Sequence, residues 1–263
     1  MTYETLTFER DGAVAIIALN RPNAANSLNV PMSEELVKVA THCDSNPDIR
    51  AVVFTGTGKM FSAGGDLHSF AAQGDNMGEY MRYATTGLHA AISRFARMNP
   101  PFLVAVNGVA AGAGFSMALA GDLIFAARSA KFTEAYTKAG VSPDGSSTFF
   151  LPRLVGHVKA MQLILLNDVL TAEQALQWGL INEVVPDDQL MTRVLAVAHQ
   201  LAAGPTLAFG ESKRLIADSL SHTLETQMEL ETRAISGLVR FSEDAPNAIH
   251  AFTRKQTIEF KGR

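Results

Sequence analysis

The stretch FLVAVNGVAAGAGFSMALAGDLIFA, residues 102–126, decides the fold class of this chain. It opens with Phe102 to Val106, a continuous apolar run typical of a buried strand, and Asn107-Gly108 then predicts a turn. A helix of small residues is expected near 113–120, and Leu123 to Ala126 predicts the next buried strand. Strands that alternate with helices in this way predict a layered α/β core with parallel strands.

The same region has some features of a membrane span. An uncharged run of 24 residues, Met98 to Gly121, contains the Gly108-x-x-x-Gly112 spacing found in membrane helices. Pro100 and Pro101 interrupt the run, and a backbone inside a bilayer needs continuous hydrogen bonding. We therefore expect a strand, a turn and a buried helix here, and no membrane association.

Toward the N-terminus the alternation of strands and helices continues. Asp11-Gly12 predicts the tight turn of a β-hairpin between Thr5–Glu9 and Ala13–Leu19. Apolar residues then recur at helical spacing as far as Asn46-Pro47. Two further elements are predicted before the deciding stretch: a buried strand at 51–54 and a long amphipathic helix at 77–97.

Beyond residue 150 helices dominate the pattern. Thr171-Ala-Glu-Gln174 is a capping box, which marks the start of a short helix, and Leu180 to Val185 predicts a last strand. We divide the chain into a core, residues 1–190, and a helical C-terminal module, residues 191–263. One face of this module is more apolar than a solvated appendage needs, which favours packing against another subunit: Leu220, Leu224, Met228, Ile235 and Leu238.

The composition excludes several classes of protein. The chain has 263 residues, of which 47% are hydrophobic and 18% charged, enough to bury a large core. The single cysteine, Cys43, excludes an internal disulfide and a zinc site of several thiolates, and its helical spacing predicts a core position. A net charge of −4 makes nucleic acid a poor partner. The first residues lack the basic and apolar regions of a signal peptide, so the expected location is cytoplasmic.

Motifs of several enzyme classes are absent from the sequence. There is no P-loop and no H-E-x-x-H metal motif, and Gly114-Phe-Ser116-Met-Ala118 lacks the final glycine of a nucleophile elbow. No metal site is predicted. Two loops of small residues remain, Phe61–Asp66 and Gly108–Gly114, each placed after a predicted strand. Such loops let a ligand approach the backbone and can form an oxyanion hole, but small residues also permit tight helix packing, and composition leaves both interpretations open.

Six motifs cover nearly the whole chain: LNRPNAANSLN (19–29), FSAGGDL (61–67), AVNGVAAGAGFSMALAGDL (105–123), AKF (130–132), GVSPDGSSTFFLPRLVG (140–156) and AEQALQWGLINEVV (172–185). In content and order they resemble the crotonase superfamily, the enoyl-CoA hydratase/isomerase family. The resemblance implies a ββα-superhelix core with a C-terminal helical trimerisation region, assembled as a homotrimer or a dimer of trimers. It also implies an acyl-CoA thioester substrate. Coenzyme A is then part of the substrate, and no cofactor is expected.

The resemblance assigns roles to both small-residue loops. It places the family's oxyanion donors on the backbone N–H groups of Gly65 and Ala113, which would stabilise the enolate formed beside a thioester carbonyl. The backbone of Ala63, Asp66 and Leu67 would line the adenine end of coenzyme A. We expect the side chain of Asp66 to cap its loop rather than to act in catalysis.

Hydratases of the family use two glutamates to hold and deprotonate one water. These positions align with Ser116 and Tyr136 in this chain, and neither is a carboxylate. Both are candidates for the substrate pocket. Glu134 is not an aligned position, because the motifs at 130–132 and at Gly140 fix the spacing on both sides, and we expect it to face solvent.

A carboxylate does stand at Asp144, within Ser-Pro-Asp-Gly. This sequence is favourable for an Asx turn, and the resemblance makes it the acid–base position of the family's double-bond isomerases. One carboxylate is sufficient for isomerisation, because it removes a proton from one carbon and returns it two carbons along. We interpret Asp144 as catalytic.

His89 is a further pocket candidate. By itself, a histidine next to Leu88 on an apolar-striped helix is usually a core or boundary residue. In the 4-chlorobenzoyl-CoA dehalogenase branch, however, positions matching His89 and Asp144 carry a general base and a carboxylate nucleophile. That branch lines its pocket with large rings at the positions that are Gly65, Leu88 and Tyr136 here, and its full aromatic lining is absent from this chain.

Enoyl-CoA isomerisation is therefore the leading interpretation of the sequence, and enoyl-CoA hydration is the alternative. A non-catalytic acyl-CoA-binding protein and a dehalogenase-like hydrolase follow.

Overall fold

A computed structural model describes residues 2–263 and contains two sheets within that range. The larger sheet has the strand order β1-β2-β3-β5-β7-β10, and the smaller has the order β4-β6-β8-β9. The strands are β1 (Leu6–Asp11), β2 (Val14–Leu19), β3 (Ala51–Gly56), β4 (Met60–Ser62), β5 (Phe102–Val106), β6 (Val109–Ala111), β7 (Leu123–Ala127), β8 (Lys131–Thr133), β9 (Leu170–Thr171) and β10 (Glu183–Val185). The helices are α1 (Val30–Ser45), α2 (Leu67–Ala71), α3 (Met77–Arg97), α4 (Ala113–Leu119), α5 (Ser147–Leu166), α6 (Ala172–Gln177), α7 (Leu190–Ala202), α8 (Thr206–Asp218), α9 (Leu224–Phe241) and α10 (Asp244–Thr253).

From β3 to β8, consecutive strands alternate between the two sheets. β3, β5 and β7 pair in parallel in the larger sheet, and the strands that follow them, β4, β6 and β8, pair in parallel in the smaller one. A helix then carries the chain to the next turn of this superhelix. The predicted α/β core with parallel strands is confirmed, including the two strands of the deciding stretch, where Leu103 pairs with Leu123.

The N-terminal hairpin differs from the prediction by one residue. Asp11 pairs with Val14, so the loop is Gly12-Ala13 rather than Asp11-Gly12. Gly12 has a φ of +59°. Two-residue hairpin loops need a positive φ at their first position, which a glycine adopts without strain, and this places Gly12 first.

The core lies between the larger sheet and helices α1, α3 and α7. Phe95 of α3 stacks on Phe102 of β5 with ring centroids 4.5 Å apart. Cys43 is fully buried, as its spacing predicted, and burial raises the pKa of its thiol to about 12. Helix α7, although it lies in the predicted C-terminal module, buries Val194 and Ala198 in this same core.

Helix α8 is bound to the core by cations that meet the end of α3. Lys213 Nζ donates to the carbonyl oxygens of Phe95 and Pro100, each at 3.2 Å, and pairs with Asp122 at 2.6 Å. Arg214 donates to the carbonyl oxygen of Arg97 at 3.0 Å. The last carbonyls of a helix have no intrahelical partner and carry partial negative charge, so cations are favoured there.

Helix α5 is long and apolar enough, by length and composition alone, to cross a membrane. It is interrupted at Gly156, where φ is +78° and ψ is +163°, so it is two short helices joined at a kink. Each half spans about 15 Å, half of the hydrocarbon thickness of a bilayer. The other stretch considered, Met98 to Gly121, forms β5, β6 and α4, which are almost entirely buried in the protein.

The prediction that Glu134 faces solvent is wrong. Glu134 is only 1% exposed, and its Oε2 lies 3.4 Å from Ser147 Oγ. In the described part of the chain, its Oε1 has no hydrogen-bond partner. Glu134 follows β8 two residues after the buried Phe132, and side chains two apart on an extended segment share a face. Burial raises the pKa of this carboxyl to about 7.

The contact between α4 and β4 leaves no room for a side chain at Gly114. A Cβ there would lie 2.5 Å from the carbonyl oxygen of Ser62, whereas a Cβ at Gly78, on α3, would meet nothing within 4 Å. We expect Gly114→Ala to lower the free energy of unfolding by about 1–3 kcal/mol through overpacking. Gly78→Ala is the control and is expected to raise it by about 0.4–1 kcal/mol. Urea titration measures both, and equal effects of the two substitutions would contradict the packing described.

Glu134 should make stability depend on pH. Its pKa of about 7 in the fold exceeds the ordinary value of 4.5, so between these pH values the folded protein binds more protons than the unfolded chain. The free energy of unfolding therefore falls as pH rises from 4.5 to above 7, by about 3 kcal/mol at 1.36 kcal/mol per pKa unit. Glu134→Gln should lose this component, so the variant gains stability relative to wild type as pH rises.

Urea titrations at pH 5 and pH 8 measure this difference between wild type and variant. Glu79→Gln, at an exposed site on α3, is the control. Parallel pH dependence for wild type and Glu134→Gln would show that the carboxyl is ionised in the fold at both pH values.

Candidate active site

Pairing of β4 with β6 brings the two small-residue loops together. The first loop includes part of β4 and the second includes β6. Because these strands are parallel, the segments that follow them leave the smaller sheet at the same edge. A Cβ built on Gly64 would lie 2.8 Å from the carbonyl oxygen of Ala111 and 3.2 Å from the backbone nitrogen of Ala113. Gly65 and Ala113, predicted from two separate motifs, therefore belong to adjoining segments.

Both of these residues have an uncommitted backbone N–H group. Leu28 binds the loop on either side of Gly65. The Leu28 amide donates to the Gly64 carbonyl oxygen, and the Leu28 carbonyl oxygen accepts from the Asp66 amide. Ala113 is the first residue of α4, where an amide has no intrahelical acceptor. Within residues 2–263, neither the Gly65 nor the Ala113 amide donates a hydrogen bond to the chain.

The conformation of Gly112 sets the direction in which α4 starts. Its φ is +51° and its ψ is −126°, a combination that a residue with a Cβ adopts only under strain. The Gly112 amide donates to the carbonyl oxygen of Thr133 at 3.2 Å. This arrangement turns the chain so that the Ala113 amide is left unpaired beside the Gly65 loop, and two such donors are what an oxyanion needs.

The segment proposed for the adenine end of coenzyme A is partly committed to internal bonds. The amides of Ala63 and Asp66 donate to Ala25 and Leu28 at 2.9 and 2.8 Å. The Asp66 side chain accepts from the Ser69 amide at 3.0 Å and pairs with Arg21 at 2.9 Å, so it does act as a loop cap. Leu67 is exposed. The nucleotide-binding role of these three residues stays a prediction.

Asp144 lies in an irregular segment between β8 and α5, where two hydroxyls bind it. Tyr136 Oη donates to Asp144 Oδ1 at 2.6 Å. Ser116 Oγ donates to the Asp144 carbonyl oxygen at 2.8 Å and lies 2.9 Å from Tyr136 Oη. Burial and the neighbouring Asp144 carboxylate raise the pKa of Tyr136, so the phenol keeps its proton and remains a donor.

His89 reaches the same cluster from α3. Although Leu88 beside it is buried, the His89 side chain is 52% exposed, and its Nε2 lies 3.6 Å from Asp144 Oδ2. The Gly145 amide donates to Nε2 at 3.1 Å. A nitrogen that accepts a hydrogen bond carries no proton, so this contact assigns the imidazole proton to Nδ1.

The pocket candidates Tyr136, His89 and Ser116 thus all lie around Asp144. Ser116 is fully buried and contacts the backbone carbonyl of Asp144, so it is not on the surface that a ligand would touch. An apolar cavity of about 990 Å³ begins at His89 and Gly145. Its walls include Phe149 of α5 and Ile216 of α8.

Periodicity and local motifs do not predict the shape of this cavity, because its walls come from α3, α5 and α8, which meet only in the tertiary structure. The apolar residues of α8 were the signal available for it.

Comparison with known proteins is consistent with this geometry. A family model described as enoyl-CoA hydratase/isomerase matches residues 9–263. A probable enoyl-CoA hydratase of Rhodobacter capsulatus is 40% identical over the full length of both chains. The 1,2-epoxyphenylacetyl-CoA isomerase of Escherichia coli is 38% identical over 95% of each chain. A 4-chlorobenzoyl coenzyme A dehalogenase of an Arthrobacter species is 35% identical over 88% of this chain and 84% of its own.

Among solved structures, an enoyl-CoA hydratase from Polaromonas sp. JS666 superposes with a TM-score of 0.91 at 31% identity. The match covers 97% of this chain and 99% of that one. The crotonase-type fold is thereby confirmed, together with its C-terminal helical region. The order of motifs, the superhelix of paired strands and these full-length matches agree, and the chain belongs to the enoyl-CoA hydratase/isomerase family of the crotonase superfamily.

Proposed function

We propose that the protein moves the double bond of an enoyl-CoA thioester, with Asp144 as its acid–base carboxylate. The main support is the identity of the two residues at the positions where the family's hydratases carry glutamates. These positions are Ser116 and Tyr136, and both of their hydroxyls bind Asp144. The cluster therefore contains one carboxylate with two neutral partners, which suits a single proton carrier.

In the proposed reaction, the thioester oxygen of a 3-enoyl-CoA accepts hydrogen bonds from the amides of Gly65 and Ala113. Asp144 removes a proton from C2, and the electron pair passes to the thioester oxygen. Each fixed donor stabilises the resulting charge by about 3–4 kcal/mol in related acyl chemistry. Asp144 then returns the proton to C4, which yields the 2-enoyl-CoA.

This reaction balances without another reagent. One proton and one double bond change position, nothing is oxidised or reduced, and coenzyme A leaves with the product as it arrived. The proposal accordingly includes no cofactor. The cavity beside His89 and Gly145 has mostly apolar walls. Charge stabilisation by fixed dipoles is stronger against such walls than in bulk water.

Hydration of a 2-enoyl-CoA is the alternative named by several relatives. It requires two carboxylates on one water, and the second carboxylate near Asp144 in sequence, Glu134, is directed toward Ser147 instead. A non-catalytic acyl-CoA-binding protein would need the oxyanion donors but would have no use for Asp144.

Hydrolytic dehalogenation, named for the Arthrobacter relative, is favoured by one observation. The 3.6 Å between His89 Nε2 and Asp144 Oδ2 joins a carboxylate nucleophile to a potential general base. For that reaction Nε2 would have to exchange the Gly145 amide for a water molecule. Loss of chloride from 4-chlorobenzoyl-CoA would favour this second candidate.

Asp144→Asn tests the leading proposal. The amide keeps an acceptor for Tyr136 but cannot take a proton from carbon, so isomerisation should fall by about 10²–10⁴-fold. Appearance of the conjugated 2-enoyl thioester is followed by ultraviolet absorbance and chromatography, and binding of coenzyme A thioester by calorimetry. Binding and thermal stability should remain unchanged.

Asp48→Asn, at an exposed site, is the matched control and should keep the wild-type rate. A wild-type rate for Asp144→Asn would refute the mechanism. An efficiency of about 10⁶ M⁻¹s⁻¹ or more for hydration of crotonyl-CoA by the unmodified protein would favour the hydratase alternative.

We also propose that the protein assembles as a homotrimer or a dimer of trimers. Support comes from large apolar side chains that one copy leaves exposed on α5 and α9, including Val158, Leu224 and Ile235. Cyclic assembly would bury such faces. Light scattering at micromolar concentration should give three or six times the 28.2 kDa chain mass, and a monomeric mass would refute the proposal.

A further inference from the structure

The two carboxylate oxygens of Asp144 have different surroundings. Oδ1 accepts the phenol proton of Tyr136 at 2.6 Å. Oδ2 faces His89 Nε2 at 3.6 Å, but the Gly145 amide already occupies the lone pair of that nitrogen. Across residues 2–263, Oδ2 accepts no hydrogen bond, and the Asp144 side chain is 23% exposed. Oδ2 is thus the oxygen free to meet a substrate.

The phenol of Tyr136 is itself held by Ser116. A phenol has one proton, and the 2.6 Å contact with Oδ1 takes it. Ser116 is then the only possible donor both to Tyr136 Oη at 2.9 Å and to the Asp144 carbonyl oxygen at 2.8 Å, so its single hydroxyl proton is shared between these two acceptors. Tyr136 thus binds the carboxylate of Asp144, and Ser116 contacts both the Asp144 backbone and the phenol.

These two hydroxyls connect Asp144 to the helix that supplies an oxyanion donor. Ser116 lies on α4 three residues after Ala113, and the Tyr136 ring lies about 4.0 Å from where a Cβ of Gly112 would stand. The amide proposed to bind the thioester oxygen and the carboxylate proposed to move the proton are therefore connected through one rigid, buried helix. Transfer of the proton from one carbon of a bound acyl group to another depends on the relative position of this amide and this carboxylate.

We propose that Tyr136 and Ser116 are positioning residues. Tyr136 binds Oδ1 and Ser116 holds the phenol and the Asp144 backbone, so that Oδ2 alone carries the substrate proton. This inference rests on the isomerase function proposed above. Without the phenol, the carboxylate can rotate about its Cβ–Cγ bond, and a proton on either oxygen then has access to water. Isomerisation slows because Oδ2 is no longer held toward the substrate carbons, and more of the transferred proton exchanges with solvent.

Tyr136→Phe tests this role because it removes only the hydroxyl and keeps the ring. Assayed with a 3-enoyl-CoA in D₂O, the variant should lose about 10–100-fold in kcat while KM stays within about twofold, since misplacement of a reacting group by about 1 Å costs up to about 10²-fold. Deuterium incorporated per turnover should rise. Ser116→Ala should change both quantities in the same direction by less, because Tyr136 keeps its bond to Oδ1.

Tyr83→Phe, at an exposed site on α3, is the matched control and should behave as wild type. A crystal structure of Tyr136→Phe should show the Asp144 carboxylate rotated from its wild-type orientation, and this readout does not depend on turnover. The inference is overturned if kcat stays within twofold of wild type. It is also overturned if kcat falls only in step with the melting temperature while deuterium incorporation is unchanged.

Failure of this inference can be told from failure of the proposed function. If the wild type does not isomerise, or Asp144→Asn isomerises at the wild-type rate, the function is wrong. In that case an unrotated carboxylate in the Tyr136→Phe structure overturns the positioning role as well. If Asp144→Asn is inactive and Tyr136→Phe is fully active, only the positioning role is wrong.

Discussion

The close contact between two backbone segments, the loop after β4 and the start of α4, is the constraint on which the rest of the site depends. β4 and β6 pair in parallel, and the segments that follow them meet so tightly that a single Cβ at Gly114 would lie 2.5 Å from the Ser62 carbonyl oxygen. Because no side chain separates the segments, the amides of Gly65 and Ala113 belong to adjoining strips of backbone. A charge that forms between them would meet donors already in place, with no reorganisation at the moment of reaction.

The acid–base side of the site depends on hydrogen bonds rather than on secondary structure. The segment between β8 and α5 contains four residues with positive φ, namely Ala135, Gly140, Gly145 and Ser146, and no strand or α-helix. Side chains from other elements hold it: Ser116 from α4 binds the Asp144 carbonyl, and His89 from α3 accepts from the Gly145 amide. A catalytic group on a loop needs such supports, because the loop alone does not fix its orientation.

The C-terminal helices contribute the remaining walls. Lys213 and Arg214 bind the carbonyl end of α3, which fixes α8 at a distance from α5 and leaves the apolar cavity between them. Polar contacts hold α8 against the end of α3, whereas the cavity beside it has apolar walls. The space between α8 and α5 therefore stays open to an apolar group. The exposed apolar residues of α9 lie outside this arrangement.

Local sequence determined much of this protein. The buried strands at 51–54 and 102–106, the helix at 77–97 and the capping box at Thr171 follow from periodicity and cap chemistry, which act over a few residues. The motifs identified the family and the loops of Gly65 and Ala113. Tertiary structure alone decided that Tyr136 and Ser116 bind Asp144, that His89 points at it, and that Glu134 is buried. These contacts join residues up to 56 positions apart, and such pairs meet only after the strands have paired.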